Sequence, residues 1–179
     1  MGHFARITLI VLFGGLTAGC FQPLYGQYSV SGSSSVAQSL AAVDVPQIDA
    51  PEPDEGALAV EVRNDLLFAL QGGEGGGSPT HSLKVRLIAT RPYATSVDVQ
   101  TGLSTTNVYA LSASYELTDL RTGKVVLRAN ATAPVSYDNP GEQQRFANAR
   151  ALKDAQSRGA QEISDTIKVR LASFFVAGT

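Results

Sequence analysis

The side chains able to carry chemistry are few and far apart. The chain of 179 residues holds one cysteine, Cys20, and two histidines, His3 and His81. One cysteine cannot form an internal disulfide, and a bare thiol is a liability in an oxidising compartment. His81 stands beside a glycine run, with no second ligand spaced for zinc and no partners for a nucleophilic triad. A lone histidine of this kind is expected in solvent. Glu52, Asp54 and Glu55 cluster, but they precede an apolar-periodic stretch, and acids gather at helix N-termini because the macrodipole favours them. The Gly72–Gly77 run lacks the Lys and Ser/Thr of a phosphate loop and follows a helical pattern instead of a strand. Asn130-Ala131-Thr132 fits a glycosylation sequon, yet it falls inside a strand pattern. The expectation is therefore no catalytic set, no metal and no cofactor.

Basic residues remain. The chain carries 14 Lys and Arg against 16 Asp and Glu, a net charge of -2. It has no basic excess to hold a nucleic-acid backbone. Lys84 and Arg86 fall on the wet face of a strand pattern, Arg91 lies near its end, Arg121 and Lys124 flank a turn, and Arg145 comes early in the last helical pattern. Singly, each reads as a solvated surface charge. Together they are candidates for the phosphates of an anionic glycolipid, since Lys and Arg make charge-assisted bonds to phosphate.

The elements that would position these residues begin after a targeting segment. Arg6 supplies a positive start, and Ile7 to Phe13 form an apolar run too short to span a bilayer but of signal-peptide length. Leu16-Thr17-Ala18-Gly19-Cys20 looks like a bacterial lipobox. Residues 1–19 are thus expected to be removed, leaving Cys20 as the lipidation site. Each buried methylene contributes about 0.8 kcal/mol, so the several acyl chains of a lipoprotein cysteine make anchoring effectively permanent. Phe21 follows the cysteine, not the Asp usual for inner-membrane retention, which favours the outer membrane. Residues 20–39 are expected to form a tether, rich in Ser, Gly and Gln from residue 27.

The folded domain is expected over residues 40–179. Val43 and Val45 alternate with Asp44 before Pro46, a short strand. Leu58, Val62, Leu66 and Ala69 share a helical face, and Gly72 and Gly73 end that helix. Leu83, Val85 and Leu87 alternate with Lys84 and Arg86, a strand that Pro92 should stop. Tyr109 to Leu117 and Val125 to Ala133 alternate across Thr122-Gly123, which marks an antiparallel hairpin. Asn139, Pro140 and Glu142 approximate a capping box for a last helix, whose apolar face runs through Phe146, Ala149, Leu152, Ala155, Ala160, Ile163, Ile167, Leu171 and Phe174. The order is β-α-β-β-β-α. It predicts an α+β two-layer sandwich, a four-stranded sheet with two helices packed on one face.

Three stretches carry a family resemblance. Cys20-Phe21-Gln22-Pro23-Leu24-Tyr25-Gly26 resembles the Cys-Gly-Phe-x-Pro-Leu-Tyr-Gly start of the alphaproteobacterial LPS-assembly lipoproteins (LptE), with the Gly after the cysteine missing. Val62-Arg63-Asn64-Asp65-Leu66 is similar to the Val-Arg-Asn-x-Leu stretch of that family's first helix, and Tyr137-Asp138-Asn139-Pro140 to the entry of its last. The resemblance implies a non-enzymatic protein on the periplasmic side of the outer membrane, seated in the lumen of the LptD β-barrel. There it would plug the barrel, help it assemble and assist lipopolysaccharide (LPS) insertion. The family's basic LPS contacts lie near the tip between the second and third strands and early in the last helix. Gln100-Thr101-Gly102 holds that tip without a charge, Arg91 is the nearest base, and Arg145 is close to the second position; Arg121 and Lys124 complete the candidate set. The competing expectation is a lipoprotein accessory subunit of an ABC-type lipid transporter, which shares the anchor but not the barrel.

Overall fold

The structure, a computed structural model, describes residues 36–50, 52, 55–72, 77–100, 102, 104–139 and 144–177. Residues 1–35, and with them the signal segment, Cys20 and most of the expected tether, lie outside them. In chain order the elements are α1 (Val36–Ala41), β1 (Val43–Asp44), α2 (Gly56–Gln71), β2 (His81–Val97), β3 (Ser104–Asp119), β4 (Val125–Asp138) and α3 (Arg145–Ala177). The sheet order is β1-β2-β3-β4. β1 runs parallel to β2, and the other neighbours are antiparallel. This is the expected α+β two-layer sandwich, with one addition. Residues 36–39, read as tether, open the short helix α1, whose Leu40 is buried in the core.

Alternation decides which side of each strand is covered. Leu83, Val85 and Leu87 of β2, Tyr109 to Leu117 at every second position of β3, and Ala131, Ala133, Val135 and Tyr137 of β4 are all buried. α2 contributes Leu58, Ala59, Val62, Leu66 and Leu70 to the same core, and α3 contributes Ala155, Ala160, Ile163, Ile167 and Leu171. Each fully buried side chain of this size stabilises the fold by about 1.5–3 kcal/mol before entropy is charged against it. α2 ends as expected: Gly72 takes φ 67°, a left-handed conformation that costs glycine little, and its N–H donates to Phe68 O at 2.9 Å.

Polar bonds join the layers. Arg63 Nε donates to Val45 O at 2.9 Å, tying α2 to the segment that follows β1. Ser164 Oγ donates to Ala160 O at 2.9 Å and reaches Val62 O at 3.4 Å, where α3 meets α2. The Val62–Leu66 motif therefore builds the fold: Val62 and Leu66 fill the core, and Arg63 fastens the segment after β1.

Three expectations change. Pro92 does not stop β2, which runs on to Val97. The ladder slips between Thr90 and Tyr93, and a proline placed in such a slip deletes no regular ladder bond. Asn139 does not sit at the helix start: its N–H donates to Thr105 O at 3.0 Å, continuing the sheet, and α3 opens at Arg145. Pro140 and Glu142 of the proposed capping box lie outside the described residues. Phe146, assigned to the apolar face of the last helix, is 89 % exposed, and Ala149 is exposed too. The helix has 33 residues, about 50 Å at 1.5 Å each, and its fully buried residues begin only at Ala155, so its first turn lies outside the part that packs on the core.

Candidate functional site

Among the described residues no group of three His, Cys, Asp or Glu could hold a metal ion. Nor is any described helix long and apolar enough to cross a membrane. What stands out is the sheet face that the helices leave open, and its two ends.

The open face is zoned. Near the base, Lys84 of β2 faces Glu116 of β3, which faces Arg128 of β4. Arg128 Nε donates to Glu116 Oε1 at 2.7 Å, and Arg86 lies 3.6 Å from Asp49. Lys84, Arg86, Ser114, Glu116, Arg128 and Asn130 line a shallow depression of ≈ 560 Å³. Such exposed pairs contribute about 0–1 kcal/mol each, so they define polarity more than stability. Further along, the rows become uncharged: Ile88, Ser112 and Thr132, then Thr90, Ala110 and Pro134. Ser112 Oγ and Thr132 Oγ1 are 3.3 Å apart.

At the base end, Asp119 closes the β3–β4 turn. Its Oδ1 accepts from the N–H of Arg121 at 2.7 Å and of Thr122 at 3.0 Å. The Thr122 N–H first, then that of Arg121 and the nearby charges, hold the carboxyl below its ordinary value. Gly123 supplies the left-handed φ of 69° that the turn requires. His81, expected in solvent, is the first residue of β2. Its Nδ1 lies 2.9 Å from Thr80 Oγ1, and its ring meets Phe175 edge-on with centroids 5.2 Å apart. Burial there lowers its pKa, against the pull of Asp119.

At the opposite end the β2–β3 hairpin runs past the helical layer. Residues 92–100 are exposed throughout, and Val99 is 98 % exposed. Gly102 N–H donates to Asp98 O at 2.8 Å, with Gly102 at φ 67°, and Gln100 N–H donates to Asp98 Oδ1 at 2.8 Å. Tyr93, Val97 and, from α3, Phe146 are further exposed apolar groups at this end.

The expected site residues are thus divided. Arg91 lies in the slipped stretch of β2 and Arg145 opens α3, both toward the hairpin tip. Arg121 and Lys124 belong to the turn at the base, beside the His81–Asp119 pair. Along the strands the two groups are roughly 30 Å apart, at about 3.3 Å per residue, so they cannot grip one headgroup together. Arg121 also lies 4.0 Å from Asp119 Oδ2. Cys20 falls outside the described residues.

Sequence reasoning passed over Glu55 and Tyr109. Glu55, read as one of the acids favoured at a helix start, is only 7 % exposed and makes no cap bond to α2. Its Oε1 instead accepts from Ala89 N–H at 2.8 Å. Tyr109, recognised as a core position, brings a hydroxyl into that core. Burial first, and then the charge of Glu55, push its pKa up to about 12. No local signal announces either contact, because the partners are 34 residues or more away.

No protein-family model matches the chain, and no curated protein sequence matches it. Solved structures do. A candidate lipoprotein from Caulobacter crescentus CB15 superposes with a TM-score of 0.60 at 21 % identity, covering 80 % of this chain and 97 % of that one. Rare lipoprotein B from Shewanella oneidensis gives a TM-score of 0.53 at 15 % identity, covering 75 % and 96 %. At these identities the likeness shows a shared fold.

Proposed function

We propose that this chain is an outer-membrane lipoprotein, anchored on the periplasmic side through acylated Cys20. In this reading it fills the lumen of the LptD β-barrel, helps that barrel assemble and assists LPS insertion into the outer leaflet. The observation that carries the proposal is the open sheet face. It is broad and polar, as suits a body facing the polar interior of a wide outer-membrane barrel. A barrel of that width leaks unless something fills it. The role needs no cofactor and no enzymatic step. The fold shared with rare lipoprotein B and the lipobox-like Leu16–Cys20 support the anchor, and the three family-like stretches support the partner.

LPS enters as a proposed ligand of the tip end. Arg91 and Arg145 supply charge for phosphates, and Tyr93, Val97, Val99 and Phe146 offer apolar surface beside them. Arg121 and Lys124 take no part, because they sit at the other end of the sheet.

Copurification tests the partner. Tagged protein extracted in mild detergent is expected to bring down a large β-barrel in near-equal amount. Recovery of inner-membrane ABC-transporter subunits alone would favour the accessory-subunit reading. Cys20→Ser tests the anchor: the chain is expected to keep its first nineteen residues and carry no acyl groups by intact-mass measurement. An unchanged mature mass and membrane partition would refute acylation at this residue.

A further inference from the structure

The hairpin of β2 and β3 has to be held where it leaves the helical layer, and one buried side chain stands at that point. On the outer edge of β2, Val85 O accepts from Asp49 N–H and Leu87 N–H donates to Asp49 O, at 3.1 and 2.9 Å. The next N–H on this edge is that of Ala89, and it goes to Glu55 Oε1 at 2.8 Å. A side-chain carboxylate thus takes the place of a strand carbonyl at the last fixed position. Immediately beyond it the ladder slips, between Thr90 and Tyr93, and again on either side of Ser96.

Only one of the two Glu55 carboxylate oxygens is used in this way. The second oxygen, Oε2, is buried with no hydrogen-bond partner, and so is the hydroxyl of Tyr109, which is 3 % exposed. Tyr109 lies two residues along β3 from Leu111, the partner of Ala89, on the same buried face, and the charge of Glu55 helps to raise the pKa of its hydroxyl. Buried polar atoms left unpaired are costly, and these two are complementary, one a donor and one an acceptor. Tyr109 is itself confined. Its ring lies under Gly159 of α3, where a Cβ would come 3.8 Å from Tyr109 Cε1.

We infer that Glu55 and Tyr109 form a clasp that fixes the projecting half of the β2–β3 hairpin to the body. In the closed clasp Tyr109 O–H donates to Glu55 Oε2, with the proton staying on the phenol, while Oε1 keeps Ala89 N–H. One carboxylate then holds both strands at the point of exit. With the clasp open, the hairpin beyond Ala89 moves on the slipped segment as a hinge, without unfolding the body. The inference concerns the chain alone and does not depend on the partner proposed above.

Amide hydrogen exchange on the full chain in detergent tests it. Glu55→Leu is expected to speed exchange of residues 93–97 and 104–108 by about tenfold, leaving residues 111–117 unchanged. Tyr109→Phe should speed the same amides by a smaller factor, and the double variant should go no further than Glu55→Leu, because the two act as one unit. Glu55→Gln keeps an oxygen for Ala89 N–H and should retain most of the protection, which keeps the test open if the leucine variant does not fold. Exchange within about twofold of the parent in the hairpin of Tyr109→Phe, or acceleration spread evenly over body and hairpin, would overturn the clasp.

Discussion

The same two strands behave differently over their two halves. In the body, β2 and β3 pair without a slip from His81–Asp119 to Thr90–Ala110, and Leu83, Val85 and Leu87 of β2 and every second residue from Tyr109 to Leu117 of β3 are buried under the helices. Past Thr90 the register slips three times, and the β2 side chains from residue 92 on meet solvent. The difference teaches that pairing alone does not make a strand part of the stable core. Coverage does, because the apolar area removed from water is what offsets the entropy of ordering the chain. The projecting half is paired yet uncovered, so it can be shaped for a partner at little cost to the fold.

A paired substitution puts the largest strain on this comparison. Leu111→Ala, in the fully buried body of β3, should destabilise by about 2–5 kcal/mol, because the cavity it leaves can collapse only partly. Val99→Ser, at the tip, should stay within about 0.5 kcal/mol. Denaturant unfolding of both variants measures the contrast, and comparable losses would show the tip to be part of the cooperative core.

A gain is expected over the body from Gly159→Ala. The added Cβ would lie 3.7 Å from Leu111 Cβ and Val135 Cγ2, ordinary contact without a clash. Helix propensity then favours alanine by about 0.5–1 kcal/mol. Thermal unfolding should show a higher midpoint. A lower one would mean that α3 cannot accept the methyl group against the sheet.

The smallest effect concerns pH. His81 has a folded-state pKa below its ordinary 6.5, chiefly through burial. Above 6.5 it is neutral folded or unfolded and contributes no pH dependence. As pH falls from 6.5 toward the folded value, the unfolded chain takes up the proton more readily and stability drops. The midpoint should therefore decline over that interval, less so in His81→Phe. The loss should open the base end of the body, near Phe175, before the hairpin tip. A parent and variant with identical pH profiles would remove His81 from the account.

Much of the body was legible because local spacing carries it. Alternation marked the buried positions of β2 and β3 and two of the four in β4, Ala131 and Ala133, and Leu58, Val62 and Leu66 marked the buried face of α2. The Val62–Leu66 stretch could likewise be seen as a pattern, but not that Arg63 would reach Val45 O in the segment after β1. Phe146 and Pro92 misled for one reason. Periodicity says which side of an element is apolar, but not how far the opposite layer extends.

That division is physical. Side-chain spacing is fixed by the backbone period, 3.6 residues in a helix and two in a strand, so the chain itself determined the elements, their inner faces and the two-layer plan. Where the cover stops depends on the relative lengths of elements distant in sequence. Only the folded molecule decided that Phe146 meets solvent, that Arg91 and Arg121 belong to opposite ends, and that Glu55 reaches Ala89. Each of these is set by contacts, or their absence, between segments that meet only when the layers close.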